Sequence, residues 1–166
     1  VIILNRNLIH TSKYILKLDR INSKLCVFEQ LANEEIRKYY SLKSDYKLDG
    51  FAGFSLIKEF SCIFGGSKTP SPEGIFCILD KSHDEYVSSY YGDEPVKFFG
   101  YFVIFEDYFI HSGLYTREAD KTDFEAESKD KQIGANDSST HGCIRVSKSD
   151  LLWLLNNIEI GTIVIL

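Results

Sequence analysis

The chain has 166 residues, enough for one domain with a real core, and its 44% hydrophobic and 26% charged residues exclude a disordered polypeptide. A formal charge of −5 and a pI near 5.4 exclude the electrostatic footprint of a nucleic-acid binder. Ten Tyr and twelve Phe, against no Met, favour strands over helices as the scaffold.

Residues 1–12 read as an N-terminal linker or strand, and residues 13–166 as one domain without repeats or a Pro/Gly linker. "KYILKLDRINSKLCVFE" predicts two strands joined by a polar turn at Asp19 to Ser23. Over 31–43, Leu31, Glu35, Ile36 and Tyr39 have helical spacing and Glu34 stands four before Lys38, which predicts a short surface helix. "FSLIKEFSCIF" returns to strand, followed by the stiff loop "GGSKTPSPEG" and a strand in "IFCIL". The aromatic runs "YVSSYYG", "KFFGYFVIF" and "YFIHSG" predict further short strands, and the heavily charged 115–131 a solvated excursion or lid. Ser147 with Asp150 has the form of a capping box, so a helix over 148–157 is predicted, with a last strand after Gly161. The sum is a mainly β fold, a sandwich or curved mixed sheets, with one or two short helices.

Four cysteines lack any C-x-x-C pair, which argues against a structural zinc site or a thioredoxin-like centre. Cys26, Cys62 and Cys77 lie in apolar runs and read as small buried hydrophobes. Cys143 differs, because "SSTHGCIRV" surrounds it with small and polar residues. A thiol attacks as thiolate and needs a base or favourable field to ionise. His10 and His83 read as surface residues; His111, ending the strand "DYFIHSG", stands where strand meets loop and suits a general base. The Ser112 carbonyl, if it faced Nδ1 of His111, would fix the tautomer that leaves Nε2 free for the thiol. The backbone N–H groups of His141, Gly142 and Cys143 could form a nest for an oxyanion. Arg145 falls on the side of Cys143 if the segment is extended, where a guanidinium suits a substrate carboxylate and favours a thiolate; a structural ion pair is its other reading. A phosphate loop around "FGGSKT" fails, because the positions before Lys68 that need Gly are Ser67 and Cys62.

"HSG" at 111–113 followed by "IGANDSSTHGCIRV" resembles the active-site signature of the YkuD family of L,D-transpeptidases. "KTPSPEGIF", with its Thr-Pro and Gly-x-Phe, resembles a segment these domains carry upstream. "DLLWLLNNIEIGTIVIL" is similar to their closing helix, turn and last strand, and "YILKLDRINSKLCVFE" to their opening hairpin. The 28 residues between His111 and Thr140 exceed the common spacer, marking 115–131 as an insertion, and Arg145 replaces Asn, a frequent alternative in the family. The resemblance implies a peptidoglycan enzyme in which Cys143, activated by His111, attacks the third residue of a tetrapeptide stem, releases D-Ala and forms a thioester. The thioester passes to another stem, giving a 3→3 cross-link, or to water, giving a carboxypeptidase. It also implies substrate contacts at Arg145, Thr140 and Gly113, orienting roles for His141, Gly142 and Ser112, acylation by carbapenems, no metal or organic cofactor and a monomer. The extracytoplasmic envelope is the expected location, since the substrate lies there, and the lack of Met leads us to expect that an initiator, and with it a leader or anchor, has been removed. Two other readings stand beside it. A papain-like endopeptidase places its Cys before its His, the reverse of the order here. A binding module that kept the fold without turnover is the other.

Overall fold

A computed structural model describes residues 1–5, 12–43, 45, 47, 51–88, 96–113, 115–116 and 140–166. In chain order the elements are β1 (Ile2–Asn5), β2 (Tyr14–Asp19), β3 (Lys24–Gln30), α1 (Asn33–Tyr39), β4 (Phe51–Ile63), β5 (Ile75–Cys77) and β6 (Asp80–Ser88). Then come β7 (Val96–Phe105), β8 (Tyr108–Ser112), β9 (Tyr115–Thr116), β10 (Ile144–Val146), α2 (Lys148–Asn157) and β11 (Ile163–Ile165). The mainly β architecture with two short helices is the one expected.

The strands join in the order β5-β11-β2-β3-β4-β10-β8-β7-β6, with β1 added to β4 and β9 to β7. Two junctions are parallel, β11 with β2 and β10 with β8; the rest are antiparallel, so the sheet is mixed. Strand β4 holds the two halves together. Its middle pairs with β3 from Phe54 to Ser61, and its end, Cys62 and Ile63, pairs with Val146 and Arg145 of β10. The sheet curls about this strand, because one apolar cluster draws on both halves: Leu16, Leu25, Val27 and Phe60 from one, Phe102, Ile110, Ile144 and Val146 from the other. Leu151, Leu154 and Leu155 of α2 complete that core. Burial of these side chains, each contributing about 1.5–3 kcal/mol, offsets the entropy of bringing distant strands together. A smaller cluster of Ile15, Ala52, Phe54 and Ile163 lies on the opposite face of β2, which explains why β2 is apolar at consecutive positions.

Local chemistry accounts for the ends of elements. In the β2–β3 turn the Asp19 carboxylate accepts from the backbone of Ile21 and Asn22, each at 3.1 Å, and from the Asn22 amide at 2.8 Å. The Ser147 hydroxyl accepts from Asp150 N–H at 3.1 Å and starts α2 where its sequence predicts. Lys81 of β6 donates to the carbonyls of Leu155 and Ile158 at 2.9 and 2.7 Å, placing a cation on the other end of that helix. Gly100 of β7 has φ +59°, a backbone conformation that L side chains rarely adopt, and a Cβ there would come within 2.8 Å of Leu155 Cδ1 of α2.

Some expectations need correction. The helix predicted over 31–43 is confined to Asn33–Tyr39, with Ile36 its one buried residue. "IFCIL" is not one strand: β5 stops at Cys77, Ile78 turns into the core, and β6 begins at Asp80. Only the first three residues of "YVSSYYG" fall in β6, and the remaining four lie outside the described residues, as do His10 and all of 115–131 except Tyr115 and Thr116. Cys26 and Cys62 are buried as expected, whereas Cys77 is only partly so. Among the described residues no helix is long and apolar enough to cross a membrane.

Candidate active site

The parallel junction of β8 and β10 sets the bend that carries Cys143 next to the strand that carries His111. The register sets Ile144 beside Ile110 and Arg145 beside His111, so Cys143 enters β10 just ahead of its first paired residue. Side chains alternate along a strand, and Arg145 therefore shares the face of His111.

His111 is 2% exposed and held from two sides. Its ring stacks on Phe98 with centroids 4.1 Å apart and planes at 27°, and Nδ1 lies 2.5 Å from the Ser112 carbonyl oxygen. A carbonyl only accepts, so Nδ1 carries the proton and Nε2 keeps its lone pair. This is the contact that the sequence asks of Ser112. The Ser112 hydroxyl meanwhile donates to Phe99 O at 2.5 Å and accepts from Phe99 N–H at 2.7 Å, tying β8 to β7. Burial first, then the Arg145 charge, push the imidazole down to about 3 against the raising effect of the Ser112 carbonyl. His111 is thus neutral at physiological pH.

Cys143 is half-buried and its Sγ donates to the Asp107 carbonyl at 3.7 Å. Burial raises its pKa, the Phe109 backbone N–H and the Arg145 charge lower it, and Asp107 raises it; the net direction is up. The resting pair is consequently a neutral thiol beside a neutral imidazole. Among the described residues no hydrogen bond joins them, and the thiol rests against the β7–β8 turn.

The bend before Cys143 is braced by hydroxyls. Thr140, 1% exposed, donates from Oγ1 to Cys143 O at 2.8 Å and accepts there from Gly142 N–H at 3.1 Å. Thr69 donates to Thr140 O at 2.8 Å, and Ser71 to Gly142 O at 2.6 Å. Gly142 has φ +107°, and a Cβ there would lie 2.3 Å from the Tyr108 ring. Only glycine fits the bend.

These contacts revise several expected roles. The Gly142 N–H is committed to Thr140, so the nest of three donors loses its middle member. Thr140 is a buried brace of the bend, with its hydroxyl engaged at Cys143 O and Gly142 N–H. Gly113 is buried just past the end of β8 and Arg145 is 4% exposed; the Arg145 charge lowers the pKa of both His111 and Cys143. The His141 side chain is exposed, as is His83. Sequence reasoning missed Phe98, the Asp107 carbonyl, Thr69 and Ser71. For the last two a signal existed: two small hydroxyl residues set beside Pro70 and Pro72, which fix the backbone that presents them.

Compared by sequence with curated proteins, the chain has no significant match. Solved structures share its fold. The LD transpeptidase LdtMt1 in complex with imipenem superposes with a TM-score of 0.62 at 15% identity, over 92% of this chain and 58% of that one. An L,D-transpeptidase from Mycobacterium smegmatis gives 0.58 at 16% identity over 93% and 58%. A fused Zn-dependent amidase/peptidase/peptidoglycan-binding domain-containing protein from Clostridium acetobutylicum gives 0.55 at 20% identity over 92% and 51%. The chain thus spans a little over half the length of these structures, and at such identities the likeness concerns the fold. The model of the L,D-transpeptidase catalytic domain matches residues 40–166, from the end of α1 to the last residue and including His111 and Cys143, and on that match the chain belongs to the YkuD family.

Proposed function

We propose that this domain is a peptidoglycan L,D-transpeptidase acting through a thioester on Cys143. Family membership supports the reaction class, and one observation carries the residue roles: Nδ1 of His111 is tied to the Ser112 carbonyl, which leaves Nε2 as a base on the strand beside the Cys143 bend. The thiol leaves the Asp107 carbonyl, gives its proton to Nε2, and attacks the carbonyl of the third stem residue, forming the S–C bond. The Arg145 charge and the Cys143 N–H favour the oxyanion that develops. Collapse breaks the bond to the terminal D-Ala, whose amine takes the proton from His111. The amine of a second stem then attacks the thioester, gives a proton to His111, and releases the thiol as a 3→3 cross-link forms.

The substrate places the reaction outside the cytoplasmic membrane. A β-lactam of the carbapenem type resembles the scissile amide closely enough to acylate the same thiol; LdtMt1 is a structure with imipenem, and Ldtfm one with avibactam in a carbamoyl enzyme. Incubation with purified disaccharide tetrapeptide, read by mass spectrometry beside Cys143→Ala, tests the proposal. Dimer with release of D-Ala is the expected result for the parent, and neither product for the variant. D-Ala without dimer would assign a carboxypeptidase; no product from the parent would return the domain to a binding role.

A further inference from the structure

We infer that Ser71 is a positioning residue for acyl transfer: its hydroxyl sets the plane of the Gly142–Cys143 peptide and thereby aims the Cys143 N–H. The inference rests on the acyl-transfer reading above. Ser71 is 2% exposed and donates to Gly142 O at 2.6 Å while accepting from Gly65 N–H at 3.0 Å, so its hydroxyl has one orientation that satisfies both. Carbonyl and N–H of a trans peptide point in opposite directions, and no peptide bond described here is cis. Holding the Gly142 oxygen therefore turns the Cys143 N–H away from Ser71. The hold matters because Gly142, at φ +107°, has no side chain to restrict rotation of that plane.

Ser71 is itself anchored from outside the bend. Arg20 Nη2 donates to the Ser71 and Pro72 carbonyls at 3.1 and 2.9 Å, with its guanidinium 5.7 Å from the Phe64 ring centre. Pro70 and Pro72 restrict the backbone on either side. Gly65 lets the loop fold back, since a Cβ there would lie 2.5 Å from Ser71 N. The device runs from the β2–β3 turn through the 64–74 loop to the peptide that follows Gly142. The N–H so aimed belongs to the nucleophile's own residue, next to any tetrahedral carbon bonded to Sγ, where a fixed donor stabilises the oxyanion most.

Two reactions of the same sulfur separate positioning from folding. In acylation by imipenem the Sγ–C bond forms, the lactam C–N bond breaks, the ring nitrogen takes up the thiol proton, and an oxyanion develops on the way. In alkylation by iodoacetamide the sulfur displaces iodide and no oxyanion forms. Ser71→Ala is expected to slow acylation by about 10- to 100-fold while alkylation of Cys143, followed by peptide mapping, stays within about twofold. Ser71→Thr, which restores a hydroxyl, is expected to recover most of the acylation rate. Should the alanine variant fail to fold, Thr69→Val, which frees only the Thr140 carbonyl at the far side of the bend, should show the same split at smaller size. Acylation at the parental rate in the folded variant overturns the inference, as does an equal fall in both reactions or no recovery with threonine. If the parent forms no imipenem adduct at Cys143, the acyl-transfer reading itself fails and takes this inference with it.

Discussion

Cys62 and Cys143 lie within a few residues of each other across the β4–β10 junction, where Cys62 pairs with Val146, yet they sit in opposite surroundings. Cys62 is fully buried among Leu25, Val27 and Ile144, and burial pushes its thiol up to about 12. Burial also raises Cys143, but there the Phe109 N–H and the Arg145 guanidinium act against it. Enclosure alone makes a cysteine inert. Cys143 differs in the polar groups around its sulfur, the Phe109 N–H, the Asp107 carbonyl and the Arg145 charge, and in having the neutral imidazole of His111 on the neighbouring strand.

The largest test of that contrast is removal of each sulfur. Cys143→Ala should lower imipenem acylation by more than about 10³-fold, whereas Cys62→Ala should leave the rate intact and destabilise the fold by about 1 kcal/mol, read by acylation kinetics and urea unfolding. Next comes the base. His111→Gln should slow acylation by about 10²–10⁴-fold yet leave iodoacetamide alkylation near about pH 10 unchanged, because no base is needed once the thiol ionises unaided.

A pH series sharpens the comparison from the acid side. In the folded state His111 is pushed down to about 3 from 6.5. Between those values the unfolded chain binds the additional proton, so stability must fall as pH drops through that window. Thermal unfolding should show the fall, flattened in His111→Gln. The smallest expected effect is that of Arg145→Met. Its charge lowers the pKa of both His111 and Cys143. Its loss should therefore move the alkylation profile of Cys143 to higher pH; an unmoved profile would assign Arg145 a structural role.

Much of the site was legible because its signals are local. The Thr140 to Cys143 string, the strand ending at His111, and the Ser147 cap each depend on residues a few positions apart. The helix over 148–157 followed for the same reason, from its cap and its apolar run. Where a local signal misled, a long-range contact was in charge. Thr140 and Gly142 looked available to a substrate, but the bend turns their polar groups on each other and on the 64–74 loop. Arg145 read as a contact for a substrate carboxylate or as a structural ion pair, and in the fold it is buried on β10, paired with β4 and β8. Ser71 was invisible as a partner of Gly142, 71 residues away, since no periodicity links them.

By itself the sequence determined most of the strands and the helix that Ser147 starts, that one cysteine follows a glycine in a bend, and which histidine stands near the end of a strand. These follow from propensity, capping and backbone sterics, all short-range. The tertiary structure decided that β8 runs parallel to β10 in a register placing His111 beside Arg145, that Nδ1 meets the Ser112 carbonyl, and that the thiol rests on Asp107. Such pairings depend on closing a curled sheet around one apolar core, a balance of buried area against loop entropy struck over the whole chain.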